Sequence, residues 1–318
     1  MKQPRIRLTL SVTHYIKQFK LKMDKEKKMN STQVKEKVRE AGADLVGIAS
    51  LDRFKDLPAE SNPLSVFPQC KSVIVVGRRI LRGAFRGVEE GTNFGSTYGC
   101  FGHSYLENQF LSKTIYDVTC YLEKEGIEAV PLLGYRIKGE DKVLADGKPA
   151  ANVILDYKIL AQAAGLGEIG KGGFFLTPEF GHRQRFGMIL VDEAFDADEL
   201  KKVSLCENCD ACAKGCPLKS IHAEKTISAG LKGHETDIFT IDEKICKVCK
   251  NGAFSQPVAS DGVDRYAAAC GRACMTALEN KVSNRFENKF RKRSVWSVDI
   301  NGSAAELSFV GGQAPVKN

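Results

Sequence analysis

Apolar and polar residues follow two periods along this chain, and the order in which they alternate predicts its elements. From Ser31 the apolar positions Val34, Val38 and Ala41 recur at helical spacing and Gly42 stands where a helix stops, so a helix capped by Ser31 is expected. Asp44–Ala49 (DLVGIA) and Ser72–Gly77 (SVIVVG) read as strands, the second a continuous apolar run, with Pro58, Pro63 and Pro68 in the loop between them. Residues 87–102, rich in glycine and carrying Phe94, Tyr98 and Phe101, read as a structured loop. Leu106, Phe110, Ile115, Val118 and Leu122 follow helical spacing up to Gly126, and Glu128–Leu133 is the next strand. Asp156–Ala164 is a short apolar helix that runs into Gly165, Gly167, Gly170, Gly172 and Gly173. Phe174–Thr177 and Arg185–Val191 are expected to pair around a turn at Pro178–Gly181. Helices and strands mix without a regular βαβ repeat, which predicts an α+β domain over residues 30–195.

Past an acidic linker (Asp196, Asp198, Glu199) the periodicity gives way to cysteines over residues 196–282, followed by a tail at 283–318. A chain of 318 residues with 43% hydrophobic content can bury a substantial core, and no stretch approaches the ~20 apolar residues of a membrane span. The formal charge of +8 belongs almost wholly to residues 1–29, where nine Lys/Arg face only Asp24 and Glu26. This basic extension is read as solvated; the competing reading is contact with RNA or an anionic surface. The run Leu8-Thr9-Leu10-Ser11-Val12 is too short and polar for a secretion signal, so a cytoplasmic location is expected.

Eleven cysteines in such a chain argue for metal or redox chemistry over disulfides. Cys70, Cys100 and Cys120 are scattered and read as small buried hydrophobes. The other eight form two groups. The first, Cys206-x2-Cys209-x2-Cys212-x3-Cys216-Pro217, is the bacterial ferredoxin run for a [4Fe–4S] cluster, whose fourth cysteine reaches a neighbouring cluster. The second, Cys246-x2-Cys249 and Cys270-x3-Cys274, repeats it with 20 residues, in place of two, between its second and third cysteines. Zinc ribbons use CxxC pairs, but not a run of four ending in proline. Two [4Fe–4S] clusters are therefore expected. The ferredoxin pseudo-two-fold implies that Cys206, Cys209, Cys212 and Cys274 hold one, and Cys246, Cys249, Cys270 and Cys216 the other.

The segment Ala161–Asp192 precedes this module. Its glycines permit close backbone approach to a flat or phosphate-bearing ligand, and Lys171, His182, Arg183 and Arg185 add cationic donors. The spacing is not the GxGxxG of a dinucleotide fold. A pattern AGLGxxGxxxxxxxPxxGxxxxF followed by CxxCxxCxxxCP resembles epoxyqueuosine reductases and respiratory reductive dehalogenases. The resemblance implies a nitroreductase-like corrinoid-binding domain followed by a bacterial-ferredoxin-like two-cluster module. It further implies cobalamin along Gly165, Gly167, Gly170, Lys171 and Gly173, with flavin the alternative that such a fold allows. By position, Arg185 falls where dehalogenases polarise the substrate and Asn152 where a polar residue faces the pocket. Tyr157, or Tyr98 and Tyr105, would donate the proton that reductive cleavage requires.

Two departures bear on the substrate. The acidic donor expected about fourteen residues before AGLG is replaced by Pro149-Ala150-Ala151-Asn152, and 44 residues follow Cys274, fewer than a tRNA-binding helical-repeat domain needs. The expected activity is thus a corrinoid-dependent reduction of a small organic molecule. Its electrons would come from a low-potential donor such as ferredoxin or flavodoxin. The alternatives are an electron-transfer protein without its own catalytic site and a tRNA-modifying enzyme. The last would use the basic extension and Arg285–Arg293 (RFENKFRKR) and ranks behind the other two.

Overall fold

The computed structural model describes residues 29–133, 146–149, 153–253, 263–288 and 290, and the backbone of 294–298, 304–308 and 316–317. Helix α1 (Ser31–Glu40) is capped one residue earlier than the pattern suggests. The Asn30 side chain accepts from Gln33 N at 2.9 Å while Gln33 returns a bond to Asn30 N, closing a reciprocal capping box. Four strands follow at intervals: β1 (Leu45–Ser50), β2 (Ser72–Arg79), β3 (Ala129–Leu133) and, after the glycine cluster, β6 (Gln184–Val191). They form one sheet in the order β1-β2-β6-β3, antiparallel throughout, with Ile48 opposite Ile74 and Ile74 opposite Ile189.

Alternation along these strands sorts side chains to two faces. Val46, Ile48, Ile74, Val76, Ile189 and Val191 pack with Val34 and Val38 of α1 and with Ile115, Val118 and Leu122 of α2 (Ser112–Lys124). Leu45, Ala49, Val73, Val75, Met188 and Leu190 pack on the other side with Leu160, Ala161 and Ala164, from and just after α3 (Tyr157–Ala163). Cover on both faces is why β2 and β6 read as uninterrupted apolar runs, although an antiparallel sheet often leaves one face wet. Each fully buried aliphatic chain contributes ~1.5–3 kcal/mol.

Three expectations are corrected. Residues 87–102 are not simply a loop: Gly95–Ser104 and Leu106–Leu111 form wide π-helical turns that lead into α2. Phe175–Leu176 (β5) does not pair with β6; it pairs with Glu168–Ile169 (β4), because the bridge between Thr177 and Gly181 turns the chain away and leaves β6 to pair with β2 and β3. Between the cysteine groups stands a hairpin that the sequence reading passed over, β7 (Ile221–Ala229) and β8 (Thr236–Ile241). β7 is largely exposed and β8 half-buried around Phe239, so the hairpin lacks the apolar run that marks β2.

The expected tail is packed at least to residue 290. Arg82 pairs with Glu279 at 3.0 Å, and the Arg82 and Arg86 guanidinium groups each lie 4.4 Å from the Phe290 ring centre. Residues 1–28 lie outside those described. No helix among the described residues is long and apolar enough to cross a membrane.

Candidate cluster module and adjoining cavity

Two short helices carry the longer-range cysteines. Helix α4 (Ala211–Lys214) bears Cys212, with Cys216 just past its end; α6 (Ala269–Leu278) bears Cys270 and Cys274 and packs on α4. Residues four apart share a helix face, so Cys270 and Cys274 stand one turn apart along one side of α6. The neighbourhoods are crossed accordingly. Cys274 is buried, which raises its thiol pKa well above the usual range, and the sulfurs that add to the rise are Cys212, Cys206 and Cys209 before Cys270. Burial pushes Cys270 up to about 12 against the opposing charge of Arg265, and its sulfur neighbours are Cys216, Cys249 and Cys246. Ser220 joins the second set directly, its hydroxyl 3.2 Å from Cys216 Sγ and 3.3 Å from Cys246 Sγ. Cys246 belongs to α5 (Glu243–Lys247), which is capped by Asp242.

Eight thiols thus gather in two fours. Among the described residues no three His, Cys, Asp or Glu side chains close on one point as a single metal ion demands. A cubane, with its irons at separate corners, asks its four thiolates to stand farther apart. Burial holds Cys212 at about 11 and Cys270 at about 12, so ionised sulfur there needs a metal's charge to compensate it. The donor set fits two [4Fe–4S] clusters.

The glycine cluster serves this module more than an open ligand face. A Cβ at Gly170 would stand 2.9 Å from Cys206 Sγ, and one at Gly172 2.7 Å from Cys212 Sγ. Burial raises the Cys206 thiol, and the Lys171 backbone N–H hydrogen-bonds to it and opposes that rise. Residues 170–172 therefore wrap the first four. Gly165 is held against the Glu199 carbonyl and Gly167 against that of Leu176. Glu168 between them accepts from Val203 N and Leu205 N, both at 3.1 Å, and so fixes the approach to Cys206. Of the five residues assigned to the corrinoid, Gly173 alone lines the cavity described next.

That cavity, about 460 Å³, is bounded by Gly173, Phe174, Arg185, Tyr266, the β8 residues Phe239 and Ile241, and Cys246 of the second four. It has the volume of a site for a compact organic molecule and is smaller than a corrinoid with its nucleotide tail. A whole corrinoid therefore exceeds the cavity that the described residues enclose, and would meet it only along the edge at Gly173 and Phe174.

At the cavity's inner end Arg185 is 6% exposed and already engaged. Its Nη2 stands 2.5 Å from Asp264 and 3.0 Å from the Tyr98 hydroxyl; its Nε stands 3.1 Å from Glu107. Tyr98 donates to Asp264 at 2.9 Å, and the guanidinium lies 4.3 Å from the Tyr266 ring centre. Burial opposes the charge on Arg185, but Asp264, Tyr98 and Glu107 outweigh it and hold its pKa well above the usual value. Burial, then Asp264, raise the Tyr98 phenol well above its ordinary range, so it stays protonated. Two carboxylates thus hold the Arg185 guanidinium in place at the cavity wall.

The predicted residues are distributed as follows. Arg185 and the alternative donor Tyr98 meet. Tyr157 lies behind them, its hydroxyl 3.0 Å from that of Tyr266 and its ring stacked on Phe186. Tyr105 is 44% exposed and packs edge-on against Phe101. Asn152 lies outside the described residues. Of the scattered cysteines Cys70 is buried as expected, whereas Cys100 and Cys120 are only half-buried. Asp264, Arg265 and Tyr266 went unread, because they belong to the insertion between Cys249 and Cys270. Their one signal was a charged–aromatic triad just ahead of a ligand-bearing helix.

No family model matches the chain. It is 25% identical over 223 residues to a tetrachloroethene reductive dehalogenase of Sulfurospirillum multivorans, a match taking in 59% of this chain and 40% of that protein. It is 26% identical over 203 residues to an epoxyqueuosine reductase of Prochlorococcus marinus (strain NATL2A), 59% of this chain and 62% of the relative. Among solved structures, a reductive dehalogenase described for B12-dependent dehalogenation aligns with 80% of this chain and 32% of its own (18% identity, TM-score 0.49). An epoxyqueuosine reductase in complex with a tRNA-Tyr stem loop aligns with 77% and 60% (13% identity, TM-score 0.44). The chain spans less than two thirds of the length of each of these proteins. It is similar in sequence to reductive dehalogenases and epoxyqueuosine reductases, and the relatives it matches are reductases of these two kinds.

Proposed function

We propose that this protein is an iron–sulfur reductase that passes electrons through two [4Fe–4S] clusters into the cavity beside Arg185. Cys206, Cys209, Cys212 and Cys274 would hold the first cluster, and Cys216, Cys246, Cys249 and Cys270 the second. The observation that carries the reading is that Cys246 of the second four is itself part of the cavity wall. The cavity is then the electron outlet and the first cluster the side that receives electrons from a low-potential donor protein. A corrinoid of the kind the resemblance implies, held at Gly173 and Phe174, would supply a low-valent cobalt centre for reductive bond cleavage. Phe239 and Ile241 would exclude water around a compact organic substrate. Tyr266 lines the cavity and shares a hydrogen bond with Tyr157 behind it, which provides a protonated phenol at Tyr266 Oη with a second in reserve.

A second reading has its own support. Arg185, the residue expected to polarise a substrate, is committed to Asp264 and Glu107, which suits an electron-transfer protein without a catalytic site. One experiment separates the two. Anaerobically purified protein is analysed for iron, sulfide, cobalt and flavin, then offered cobalamin at micromolar concentration. The reductase reading expects about eight irons per chain and a cobalamin spectrum altered on binding. Eight irons with no corrinoid bound would favour the electron carrier, and an iron-free protein that holds zinc would overturn both.

A further inference from the structure

Arg265 joins features that the proposed function leaves unused. It stands two residues after Val263 and reaches from the cavity wall that carries Cys246 to the loop that wraps the first four. Its Nη2 donates to the Gly172 carbonyl at 2.8 Å, on the loop that wraps the first four. Its guanidinium lies 4.7 Å from the centre of the Phe174 ring, and both residues line the cavity together with Cys246. The side chain is partly buried as a whole, but Nη1 is shut off from solvent and, among the described residues, has no hydrogen-bond partner. A buried donor of this kind is destabilising unless something accepts from it. The sulfurs around the guanidinium come from both fours. Burial disfavours its charge, while Cys270, Cys246 and Cys212 favour it enough to raise its pKa. Two of the three belong to the second four.

We infer that Arg265 is a positioning residue that donates Nη1 to the bound clusters and raises the reduction potential of the second, cavity-side cluster above that of the first. Reduction adds one electron, and so one negative charge, to a cluster without moving a proton. A fixed guanidinium beside it stabilises the reduced state more than the oxidised one, and a hydrogen bond to sulfur acts in the same direction. Arg265 shares the cavity wall with Cys246 and hydrogen-bonds toward Cys270, both of the second four, whereas it meets the first four through the Gly172 carbonyl of the wrapping loop, so the second cluster is the more easily reduced. An electron entering at the first cluster then comes to rest against the cavity wall. Nothing in the ferredoxin run imposes this direction, since its two halves are alike.

This inference rests on the cluster reading above, and the test keeps the two failures apart. The full chain, reconstituted anaerobically with iron and sulfide, is titrated with dithionite and mediators while EPR follows each cluster. The unmodified chain should show two separate midpoints. In Arg265→Gln the higher one should fall until the reduced-to-oxidised ratio at fixed potential drops at least tenfold, which is 59 mV for a one-electron couple. Arg265→Lys, which keeps the charge, should stay within about threefold of the unmodified chain, or ~28 mV on the same scale. A Gln variant with full iron and unchanged midpoints overturns the role of Arg265. Fewer than four irons in the unmodified chain instead overturns the clusters, and the inference with them. Should the Gln variant assemble incompletely, the unmodified chain grown with ¹⁵N-arginine decides. Pulsed EPR of the reduced protein should reveal ¹⁵N coupling that disappears in Arg265→Lys, and absence of that coupling overturns the inference.

Discussion

In the sheet, all eight residues of β6 are buried, with strands on both sides and helices on both faces. In the cysteine module, α4 has four residues and α5 five, and of the β7–β8 hairpin only β8 is half-buried while β7 is mostly exposed. Helices that short do not hold themselves in water, and a lone two-stranded hairpin is marginal. The module buries sulfur alongside apolar side chains such as Ile221, Phe239, Met275 and Leu278, including thiols that burial pushes to about 11 and about 12. The sheet draws its stability from apolar area alone, and on the proposed reading bound iron would add to the smaller apolar core of the module. The difference teaches where folding and cofactor loading are one process and where they are separate.

Stripping the iron is the strongest way to break that comparison. Chelation under reducing, anaerobic conditions should abolish hydrogen-exchange protection over residues 205–216 and 243–249 while the amides of β2 and β6 keep theirs. Protection lost equally from β6 would mean that the two regions fold as one.

The tie between the regions comes next. Arg185 stands on β6 and Asp264 in the module, 2.5 Å apart and both buried. Arg185→Met should cost ~3–5 kcal/mol in a denaturant melt, because it strands a buried carboxylate. The double change Arg185→Met with Asp264→Leu should recover most of that loss. Equal losses in the single and double variants would show that the pair is no more than packing.

The smallest effect sharpens the other side. Asn30→Ala removes one half of the capping box of α1 and should cost ~1 kcal/mol of stability while leaving the iron content at its full value. Iron loss in this variant would contradict the independence of sheet and module.

Legibility in the sequence followed the same divide. β2 and the α2 stripe announced themselves because burial imposes a period that single residues reveal. The ligand cysteines were legible because the ferredoxin run fixes spacing over eleven residues, Cys206 to Cys216. The partner of β5 was not legible, since a two-residue strand has no period and only the Thr177–Gly181 bridge decides where it turns. Nor was the destination of the glycines. A glycine says that something approaches closely, and at 170 and 172 the approaching groups are cysteine sulfurs of the same chain.

The sequence by itself determined which residues can carry iron, which faces are apolar and which classes of chemistry are in reach, because each depends on residue type at short range. Only the tertiary structure decided that Asp264 closes on Arg185, that Arg265 reaches the loop that wraps the first four and that Cys246 borders a cavity. These contacts join residues 79 to 93 positions apart, or sulfurs from separate groups. The physical reason is that such contacts are set by how the inserted segment packs on β6 and the glycine loop, and no local period in the chain records that packing.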